Sequence, residues 1–338
     1  MSTQPDSLLV LELIQGFRLS KTMFTAVRLG VFDALEPGPQ DALQLATQLK
    51  LNAAALLRLL DGCVSLQLLE REEDKYRNTE TASTYLVASS PETFQGYIVY
   101  SDESLFPLWS HLDDAIREGT NRWAQTFGSR DALFEYYYRD PAATANFVRA
   151  MHGFGRLCSP QIVRAFDLSR FDQMVDLGGA TGHLVIAACE QYPDLRGTVI
   201  DLPRVQPIAQ EFIRNSSVAD RIQFITSDFF KDDLPPGDLY ALGRIVHDWS
   251  DAEIVPLLAK VHGALPSGGG LLLAEALLDD DRKGPVSAVM QDLNMLVCTE
   301  GHERTAAEYE ALLKTAGFVT VQTRRTGTLV DAILALKR

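Results

Sequence analysis

The stretch VDLGGATGHL, residues 175–184, is the strongest indication of the fold of the C-terminal half of this chain. It begins in the apolar run MVDL, which predicts a buried strand, and it leads into TGHLVIAACEQY, which has helical spacing. Gly178, Gly179 and Gly182 lie between the two. Glycines at this place permit a sharp turn and let a ligand approach the backbone beside the free N–H groups of a helix start. The stretch therefore predicts a strand, a binding loop and a helix.

Downstream of this loop, short apolar runs alternate with helical stretches. Such alternation predicts βαβ units and a parallel sheet covered on both faces. The end of the chain differs, because FVTVQTRRTGTLVDAILALKR contains two strands around a Thr-Gly-Thr turn and must be antiparallel. We expect a doubly wound α/β sheet closed by a C-terminal hairpin. The predicted strands are MVDL, GTVID, IQFIT, DLYALGRIV and GGLLLAEAL.

Polar and aromatic residues follow three of these strands at the same edge. The glycines follow the first, Asp201 ends the second, and Asp228 with Phe229 ends the third. The carboxylate of Asp201 can accept hydrogen bonds from both hydroxyls of a ribose. The carboxylate of Asp228 suits the amino group of an adenine, and the Phe229 ring suits its face. The sequence predicts a nucleoside site here, with helix capping as the alternative role of Asp201. The spacing G-G-x-x-G differs from the G-x-G-x-x-G of dinucleotide sites, which disfavours a nicotinamide oxidoreductase.

The N-terminal hundred residues have the element order of a winged helix. Helical stretches are followed by LLEREEDKYRNTE, which predicts two short strands around a charged turn. DNA binding is unlikely to be its role, since the third helix, NAAALLRLLDGCVSLQLLE, offers only Arg58 to meet phosphates. The excess of apolar residues in this helix favours a subunit interface instead.

Composition narrows the function classes further. The chain of 338 residues carries 31 Lys and Arg against 45 Asp and Glu, and this formal charge of −14 repels nucleic acid and anionic lipid. No apolar stretch approaches the roughly 20 residues that cross a bilayer, and the start lacks a basic leader. We expect a cytoplasmic protein without membrane or nucleic-acid partners. The four scattered cysteines predict reduced thiols and no metal site.

A helical connector rich in aromatic residues spans residues 101–168. It contains FPLWSHLDDAIREG, ALFEYYYRD and NFVRAMHGFG, whose aromatic side chains are suited to line a pocket or to fill a core. Tyr138 and Phe154 are the two pocket candidates that we single out.

Several ordered motifs resemble the S-adenosylmethionine-dependent O-methyltransferases of the acetylserotonin and plant caffeate type. The resemblance extends to QGFRLSKTMFTAVRLGVFDAL near the start, so it covers essentially the whole chain. It implies a winged-helix dimerisation domain (1–100), a connector that contributes to the acceptor pocket (101–168), and a Rossmann-like class I methyltransferase domain (169–338). It also implies a homodimer. The motifs are VDLGGATGHL, TVIDLP, SDFFKDDLP, RIVHDWSD, LLLAEALLDDDRKGP, LNMLVCTEGHERT and LVDAILA.

The resemblance also implies roles for individual residues. The residues expected at the cofactor, S-adenosylmethionine, are Gly178, Asp201, Asp228, Phe229, Arg244 and Tyr138. Asp248 and Asn294 match positions that contact the acceptor, near Phe154. Cys298 stands where the acetylserotonin enzymes carry a glutamine, and Gly155 where they carry a tryptophan. A thiol lacks the strong hydrogen-bonding groups of an amide, so we expect a hydroxylated aromatic acceptor other than N-acetylserotonin.

His247 is the predicted general base. In HDWSDAEI, a capping box accounts for Ser250 and Glu253 but leaves His247 and Asp248 without a structural role. A phenol titrates near roughly 10 and a histidine near about 6.5, so an imidazole in contact can take the acceptor proton as methyl transfer proceeds. Glu275 and Glu303 occupy positions where the resembling family keeps acids that orient the ring.

Two alternatives remain open at the level of sequence. A methyltransferase of the same fold that acts on carbon or nitrogen would use His247 for positioning, and a silent dimer would serve in regulation. The presence of His247, Glu275 and Glu303 together favours an active enzyme.

Overall fold

The computed structural model describes residues 6–128 and 136–338. The chain divides into two compact units, residues 1–104 and 105–338, and each has its own apolar core. Within the described ranges no helix is both long and apolar enough to cross a membrane. All four cysteines are free and buried, as the sequence predicts for reduced thiols.

The first unit contains the helices and the hairpin expected of a winged helix. The hairpin β2–β3 is joined by a short strand β1 that the sequence did not predict, in the order β1-β3-β2. The predicted first helix is interrupted at Gly30, whose φ of 73° is left-handed. The elements are α1 (Ser7–Arg28), α2 (Val31–Leu35), β1 (Gln40–Asp41), α3 (Ala42–Leu49), α4 (Ala53–Ser65), β2 (Leu69–Glu72), β3 (Lys75–Asn78), α5 (Glu80–Tyr85) and α6 (Gln95–Tyr100).

Helix α1 carries a long exposed apolar surface. Asp6 caps it by accepting hydrogen bonds from the N–H groups of Leu8 and Leu9. Leu13 is 72% exposed and Phe17 57% exposed, in a helix where apolar side chains would ordinarily face a core. Exposed apolar area of this extent marks an interaction surface. We call it the α1 face, and its exposed residues are Leu8, Leu9, Val10, Leu11, Leu13, Ile14, Phe17 and Leu19.

The second unit begins with helices and continues as an α/β sheet. Two short 3₁₀ turns, Ala219–Arg221 and Val246–Asp248, interrupt the connections. The elements are α7 (Phe106–Trp109), α8 (Leu112–Glu118), α9 (Trp123–Phe127), α10 (Pro141–Arg164), β4 (Gln173–Leu177), α11 (His183–Gln191), β5 (Arg196–Asp201), α12 (Gln206–Asn215), β6 (Ile222–Thr226), β7 (Leu239–Gly243), α13 (Asp251–Ala264), β8 (Gly270–Glu275), β9 (Leu277–Leu278), α14 (Val286–Cys298), β10 (Arg304–Thr305), α15 (Ala306–Thr315), β11 (Thr320–Arg324) and β12 (Asp331–Leu336).

The seven-stranded sheet has the order β11-β12-β8-β7-β4-β5-β6. The strands from β6 to β8 are parallel, whereas β12 runs antiparallel to both β8 and β11, which confirms the predicted C-terminal hairpin. Successive residues of β4 enter different cores: Met174 packs with α10 and α11, and Val175 with α13 and α15. The order reverses at β4, and ligands of open α/β sheets bind at the carboxyl edge of such a point.

One predicted strand ends earlier than expected. The apolar run DLYALGRIV predicts a strand that reaches His247, but β7 ends at Gly243. Arg244 follows with a φ of 56°, and His247 lies in the 3₁₀ turn. The prediction was wrong because Oε1 of Glu275 accepts the N–H groups of Ile245 and Val246, at 3.0 and 2.8 Å. Those N–H groups are then unavailable to a strand ladder.

Candidate active site

The glycine loop, Gly178–Gly182, lies at the end of β4 and leads into α11. Gly178 has a φ of 69°, and a Cβ there would lie 2.8 Å from Cδ1 of Ile245. Gly182 has a φ of 78°, and its Cβ would lie 2.9 Å from Cγ2 of Val199. Both positions therefore require glycine, for conformation and for space.

Asp201, at the end of β5, fastens this loop to the sheet. Its Oδ2 accepts the N–H of Ala180 at 2.9 Å, and its Oδ1 accepts that of Leu202 at 2.7 Å. Burial raises the pKa of Asp201 to about 6, against the lowering effect of these two N–H groups. The alternative that Asp201 caps the next helix is wrong, because α12 begins at Gln206 without a side-chain cap. Each carboxylate oxygen retains a lone pair for a further donor.

Asp228 and Phe229 follow β6 on the same side. Oδ1 of Asp228 accepts the N–H of Phe230 at 3.1 Å, and Oδ2 lies 2.8 Å from Nζ of the exposed Lys231. The Phe229 ring borders the glycine loop, since a Cβ on Gly178 would lie 3.3 Å from its Cε1. The ring is therefore in place beside the loop, while the Asp228 carboxylate is held in its own turn.

Arg244 and Phe154 contact each other, and Tyr138 packs against the same small apolar cluster as Ala180 of the glycine loop. The Arg244 guanidinium lies 4.4 Å from the centre of the Phe154 ring, and its Nη1 lies 3.5 Å from Sδ of Met151. Burial raises the pKa of the Tyr138 hydroxyl well above its usual value, and the carboxylates of Asp201 and Asp248 raise it further. Tyr138 is thus electrostatically close both to the loop anchor and to the 3₁₀ turn of His247.

His247 and two glutamates form a buried cluster, which we call the His247 cluster. Nδ1 of His247 lies 2.6 Å from Oε1 of Glu303 and 3.5 Å from Oε2 of Glu275. All three side chains are at most 3% exposed. Because an ionised carboxylate can only accept, the short contact assigns the Nδ1 proton as a donor to Glu303. Nε2, which lies 3.6 Å from Oδ1 of Asp248, is left to accept a proton.

Two short strands bring the glutamates together. Glu275 ends β8 two residues before β9, and Glu303 directly precedes β10. These two strands pair in parallel with Arg304 opposite Leu277, so the carboxylates start from neighbouring backbone positions. Oε2 of Glu275 and Oε2 of Glu303 are buried and have no hydrogen-bond partner in the described part of the chain.

The protonation of the cluster follows from this crowding of carboxylates. Burial lowers the pKa of His247, but Glu303, Glu275 and Asp248 outweigh it and raise the value to about 9. Burial raises the pKa of Glu275 to about 7, against the lowering effect of His247. In the protein alone at neutral pH, the imidazole therefore carries a proton that it must lose before it can act as a base.

The same side chains carry atoms of the kinds that bind cations. In the described ranges, 6–128 and 136–338, only His247, Glu275 and Glu303 bring three potential ligand atoms within 4.8 Å of one another. A metal at Nδ1 would replace the proton that this nitrogen donates to Glu303, so the metal and the hydrogen bond exclude each other.

Two of the four residues expected at the acceptor, Asn294 and Cys298, lie on α14, whereas Asp248 lies in the 3₁₀ turn and Phe154 on α10. Oδ1 of Asn294 accepts the indole N–H of Trp109 at 2.8 Å, and Sγ of Cys298 lies 3.7 Å from the same oxygen. Trp123 donates its indole N–H to the backbone oxygen of Cys298 at 2.6 Å. With its oxygen occupied, Asn294 has its amide N–H groups left to donate.

The structure brings most of the predicted site residues to one edge of the sheet. Sequence reasoning missed Gly301, Asp292 and Arg304, which surround Glu303. Asp292 accepts the backbone N–H of Glu303 at 2.9 Å, and Arg304 is 1% exposed. The nearest sequence signal was an arginine directly after a predicted catalytic acid in GHERT, which by itself also fits a solvated helix start.

Comparison with known proteins identifies the family. The profile of the O-methyltransferase domain matches residues 109–319, and that of the O-methyltransferase dimerisation domain matches residues 11–88. The chain belongs to the O-methyltransferase family. The resemblance, the α/β fold with its N-terminal dimerisation domain, and the class of S-adenosylmethionine-dependent O-methyltransferase are thereby confirmed.

Relatives match this O-methyltransferase along nearly its full length. Chicken acetylserotonin O-methyltransferase is 43% identical over 336 residues, 97% of each chain. A human protein described as a probable bifunctional dTTP/UTP pyrophosphatase/methyltransferase is 43% identical over 331 residues, and the match spans 97% of this chain but only 53% of that protein. The crystal structure of human N-acetylserotonin methyltransferase in complex with S-adenosylmethionine superposes with a TM-score of 0.92 at 40% identity, covering 100% and 99% of the chains.

The predicted cofactor, S-adenosylmethionine, is confirmed, and the site suits it. The loop at the end of β4 turns through Gly178 and Gly182, both with left-handed φ, and a buried carboxylate with unused lone pairs lies at the end of the next strand. These are the features that a nucleoside with a free ribose needs at the carboxyl edge of a sheet.

Proposed function

We propose that this O-methyltransferase methylates a hydroxyl group of a small aromatic acceptor, with His247 as the general base and Glu303 and Glu275 as the acids that orient it. The observation that carries the proposal is the 2.6 Å contact between Nδ1 of His247 and Oε1 of Glu303. This contact fixes the tautomer and the ring plane, and it leaves Nε2 as the proton acceptor.

The proposed base takes the acceptor proton as the new bond forms. S-adenosylmethionine, when bound, supplies the methyl group on a positively charged sulfur. A nearby positive charge lowers the pKa of an imidazole, so His247 is expected to lose the proton that its carboxylate neighbours favour in the protein alone. After proton transfer, Glu303 and Glu275 stabilise the imidazolium.

We propose cofactor contacts for the residues that the resemblance indicates. The loop backbone at Gly178 would contact the cofactor, and the Asp201 carboxylate would bind the ribose hydroxyls. The Phe229 ring would cover the adenine face. Asp228 would have to release Lys231, 2.8 Å away, before both of its oxygens could bind a ligand. Arg244 and Tyr138 would close the site from the side of α10.

The acceptor pocket is proposed at Asp248, Asn294, Cys298 and Phe154. Cys298 is 2% exposed and Asn294 is 8% exposed, so neither offers a strongly solvated surface. Burial raises the pKa of the Cys298 thiol, which therefore acts as a small apolar group. A buried pocket with an amide donor from Asn294 and a carboxylate from Asp248 suits a hydroxylated aromatic ring such as a phenol or an indole. The likeness to acetylserotonin O-methyltransferases supports a hydroxyindole as a candidate, which goes against the expectation drawn from Cys298.

A substitution at His247 tests the proposed base. We expect His247→Ala to lower turnover by about 10² to 10⁴ while affinity for S-adenosylhomocysteine stays nearly unchanged, because the imidazole acts only on the acceptor proton. Turnover is measured by mass spectrometry of the methylated product and affinity by calorimetry. His111→Ala, in the same unit, is the control, and full activity of His247→Ala would refute the base.

The acceptor class is tested with a panel of phenols, hydroxyindoles, aromatic amines and small acids. Methylation of hydroxyl groups alone would support the proposal, whereas methyl gain only on nitrogen or carbon would contradict it.

We also propose a homodimer formed through the α1 face. The cytoplasmic location and the three-part division of the chain remain predictions from the sequence.

A further inference from the structure

Arg304 is the largest fully buried side chain in the described part of the protein. It lies directly after Glu303, and it is 1% exposed. Burying a guanidinium is costly unless each of its N–H groups has a partner. Its contacts therefore indicate what the residue does.

The guanidinium of Arg304 binds the backbone on both sides of His247. Nη1 donates to the carbonyl oxygen of Val246 at 3.3 Å, and Nη2 donates to that of Trp249 at 3.4 Å. Nη1 also donates to the carbonyl oxygen of His302 at 3.2 Å. One planar group thus joins the residue before His247, the turn after it, and the loop that carries Glu303.

Asp251 holds the guanidinium in this orientation. Its Oδ1 accepts from Nη2 of Arg304 at 2.5 Å and from Nε at 3.2 Å. Asp251 lies at the start of α13, and its side chain is 61% exposed. The buried fork is therefore anchored by a carboxylate that is itself at the surface.

Gly301 brings the Glu303 loop into direct contact with the 3₁₀ turn. A Cβ at Gly301 would lie 2.1 Å from the carbonyl oxygen of His247 and 2.5 Å from the backbone nitrogen of Trp249. These neighbours are backbone atoms, which cannot rotate away, so any larger residue must push the loop outward. The separation between Glu303 and His247 depends on this close approach.

We propose that Arg304, with Gly301, is a positioning residue that sets the Glu303 carboxylate against Nδ1 of His247 by joining the two backbone segments that carry them. The inference rests on the proposed role of His247 as general base. Arg304 acts through Glu303 and His247 rather than on the acceptor itself. A misplacement of about 1 Å in such a pair costs on the order of 10² in rate.

The geometry requires a guanidinium in particular. A lysine ammonium presents its three donors from one atom, so it cannot span the carbonyl oxygens of Val246 and Trp249 while also binding Asp251. The conservative variant Arg304→Lys should therefore fail to restore the position of Glu303, although it keeps the charge.

The pH dependence of turnover separates positioning from simple packing. Loss of the close carboxylate should lower the pKa of His247, so the acidic limb of the kcat profile should move to lower pH. The titratable and charged groups that face His247 or its carboxylate neighbours are Asp248 in its own turn, Glu275 at the end of β8, Glu303 before β10, Tyr309 of α15, Arg304 of β10, Arg244 after β7, Tyr138 before α10 and Cys298 of α14.

The experiment measures kcat, both KM values and the kcat–pH profile for Arg304→Met and Arg304→Lys. We expect kcat to fall by about 10- to 100-fold and the acidic limb to move down by about one pH unit, with both KM values within about threefold of the parent. The matched control is Arg221→Met. Arg221 also gathers carbonyl oxygens, but these belong to Cys189, Tyr192, Pro193 and Leu195 around the end of α11.

Two further variants keep the inference testable if Arg304→Met does not fold. Asp251→Asn removes only the exposed anchor and should shift the limb in the same direction by a smaller amount. Gly301→Ala should give the full shift. An unmoved limb in every folded variant, or an equal shift in Arg221→Met, would overturn the inference. If His247→Ala were fully active, the proposed function would fail instead, so the two failures are distinguishable.

Discussion

Among the neighbouring carboxylates, Glu303 makes the largest contribution to the raised pKa of His247. Oε1 of Glu303 lies 2.6 Å from Nδ1, in a site where both groups are buried and water cannot screen them. This oxygen therefore orients the ring and favours the imidazolium. Those two effects oppose each other in catalysis, since a base must first be neutral and then be stabilised as its proton arrives.

Removal of that charge should separate the two effects. We expect Glu303→Gln to keep the ring orientation, because the amide oxygen still accepts from Nδ1, and to lower the pKa of His247 below its value of about 9. Turnover rises with pH as the imidazole loses its proton, so the acidic limb of kcat should move to lower pH while the plateau falls by about 10- to 100-fold. The kcat–pH profile measures both changes.

The control for this prediction is a glutamate outside the site. Glu310 pairs with Lys314 on the surface of α15, so Glu310→Gln should leave the profile unchanged. A Glu303→Gln limb at an unchanged or higher pH would show that Glu303 does not set the proton affinity of His247.

Among single residues, the sequence was sufficient to predict the side chains whose chemistry is distinctive. His247, Glu275 and Glu303 were predicted from a leftover imidazole and from matching motif positions. In the structure, Nδ1 of His247 lies 2.6 Å from Glu303 and 3.5 Å from Glu275. Arg304 and Gly301 were missed because their roles depend on backbone contacts. A buried arginine and a solvated one have the same sequence signature, and only packing distinguishes them.

The glycine loop covers Asp176 of β4, a buried carboxylic acid whose ionisation is unfavourable in the folded protein. Asp176 in β4 is 2% exposed, its Oδ2 has no partner in the described part of the chain, and a Cβ on Gly179 would lie 2.6 Å from that oxygen. Burial and, to a smaller extent, the charge of Asp201 together raise the pKa of Asp176 from 3.8 to about 8. The strand and the loop therefore enclose a neutral acid at neutral pH.

This acid should make stability depend on pH in a specific window. The unfolded chain ionises Asp176 above about 3.8, whereas the folded protein does so only above about 8, so stability is lost as pH rises between those values. The amide of Asp176→Asn does not ionise, so this variant does not lose stability over that pH range. We expect the variant to melt about 2–4 °C above the parent at pH 8, with the difference vanishing near pH 4, as measured by calorimetry. An equal gain from the exposed Asp194→Asn would remove the basis of this assignment.

The sequence predicted elements well where periodicity had room to act. The seven strands of the main sheet, which include the two of the C-terminal hairpin, are each long enough to show an apolar run or an alternation. Strands β9 and β10 have two residues each, too few for any pattern, yet their pairing brings Glu275 and Glu303 together. The end of β7 was also unpredictable, because a distant glutamate rather than a local breaker ends it.

The α1 face is an apolar surface that a single chain leaves exposed to solvent. Leu13 and Phe17 expose most of their area to solvent in a protein with a formal charge of −14. Net repulsion keeps two chains apart at long range, so the proposed association through this helix would rely on apolar contact. The dimerisation-domain profile covers most of the same helix.

Charge placed on this face should prevent association. We expect Ile14→Glu combined with Phe17→Glu to convert the protein to a monomer near 37.4 kDa, because buried carboxylates across an apolar interface are unpaired. Light scattering after size-exclusion chromatography gives the mass. Leu43→Glu, at a leucine that is 69% exposed on α3, is the control and should leave the mass unchanged. A dimeric double variant would place the interface elsewhere.

The burial of all four thiols has a practical consequence for spectroscopy. All four cysteines are buried, and burial raises the pKa of Cys63 and of Cys189 to about 11, so the reactive thiolate is scarce in the folded enzyme. A single cysteine introduced on the surface would therefore be the preferred target of a maleimide dye. Fluorescence could then follow motions of the enzyme during turnover in the otherwise native chain.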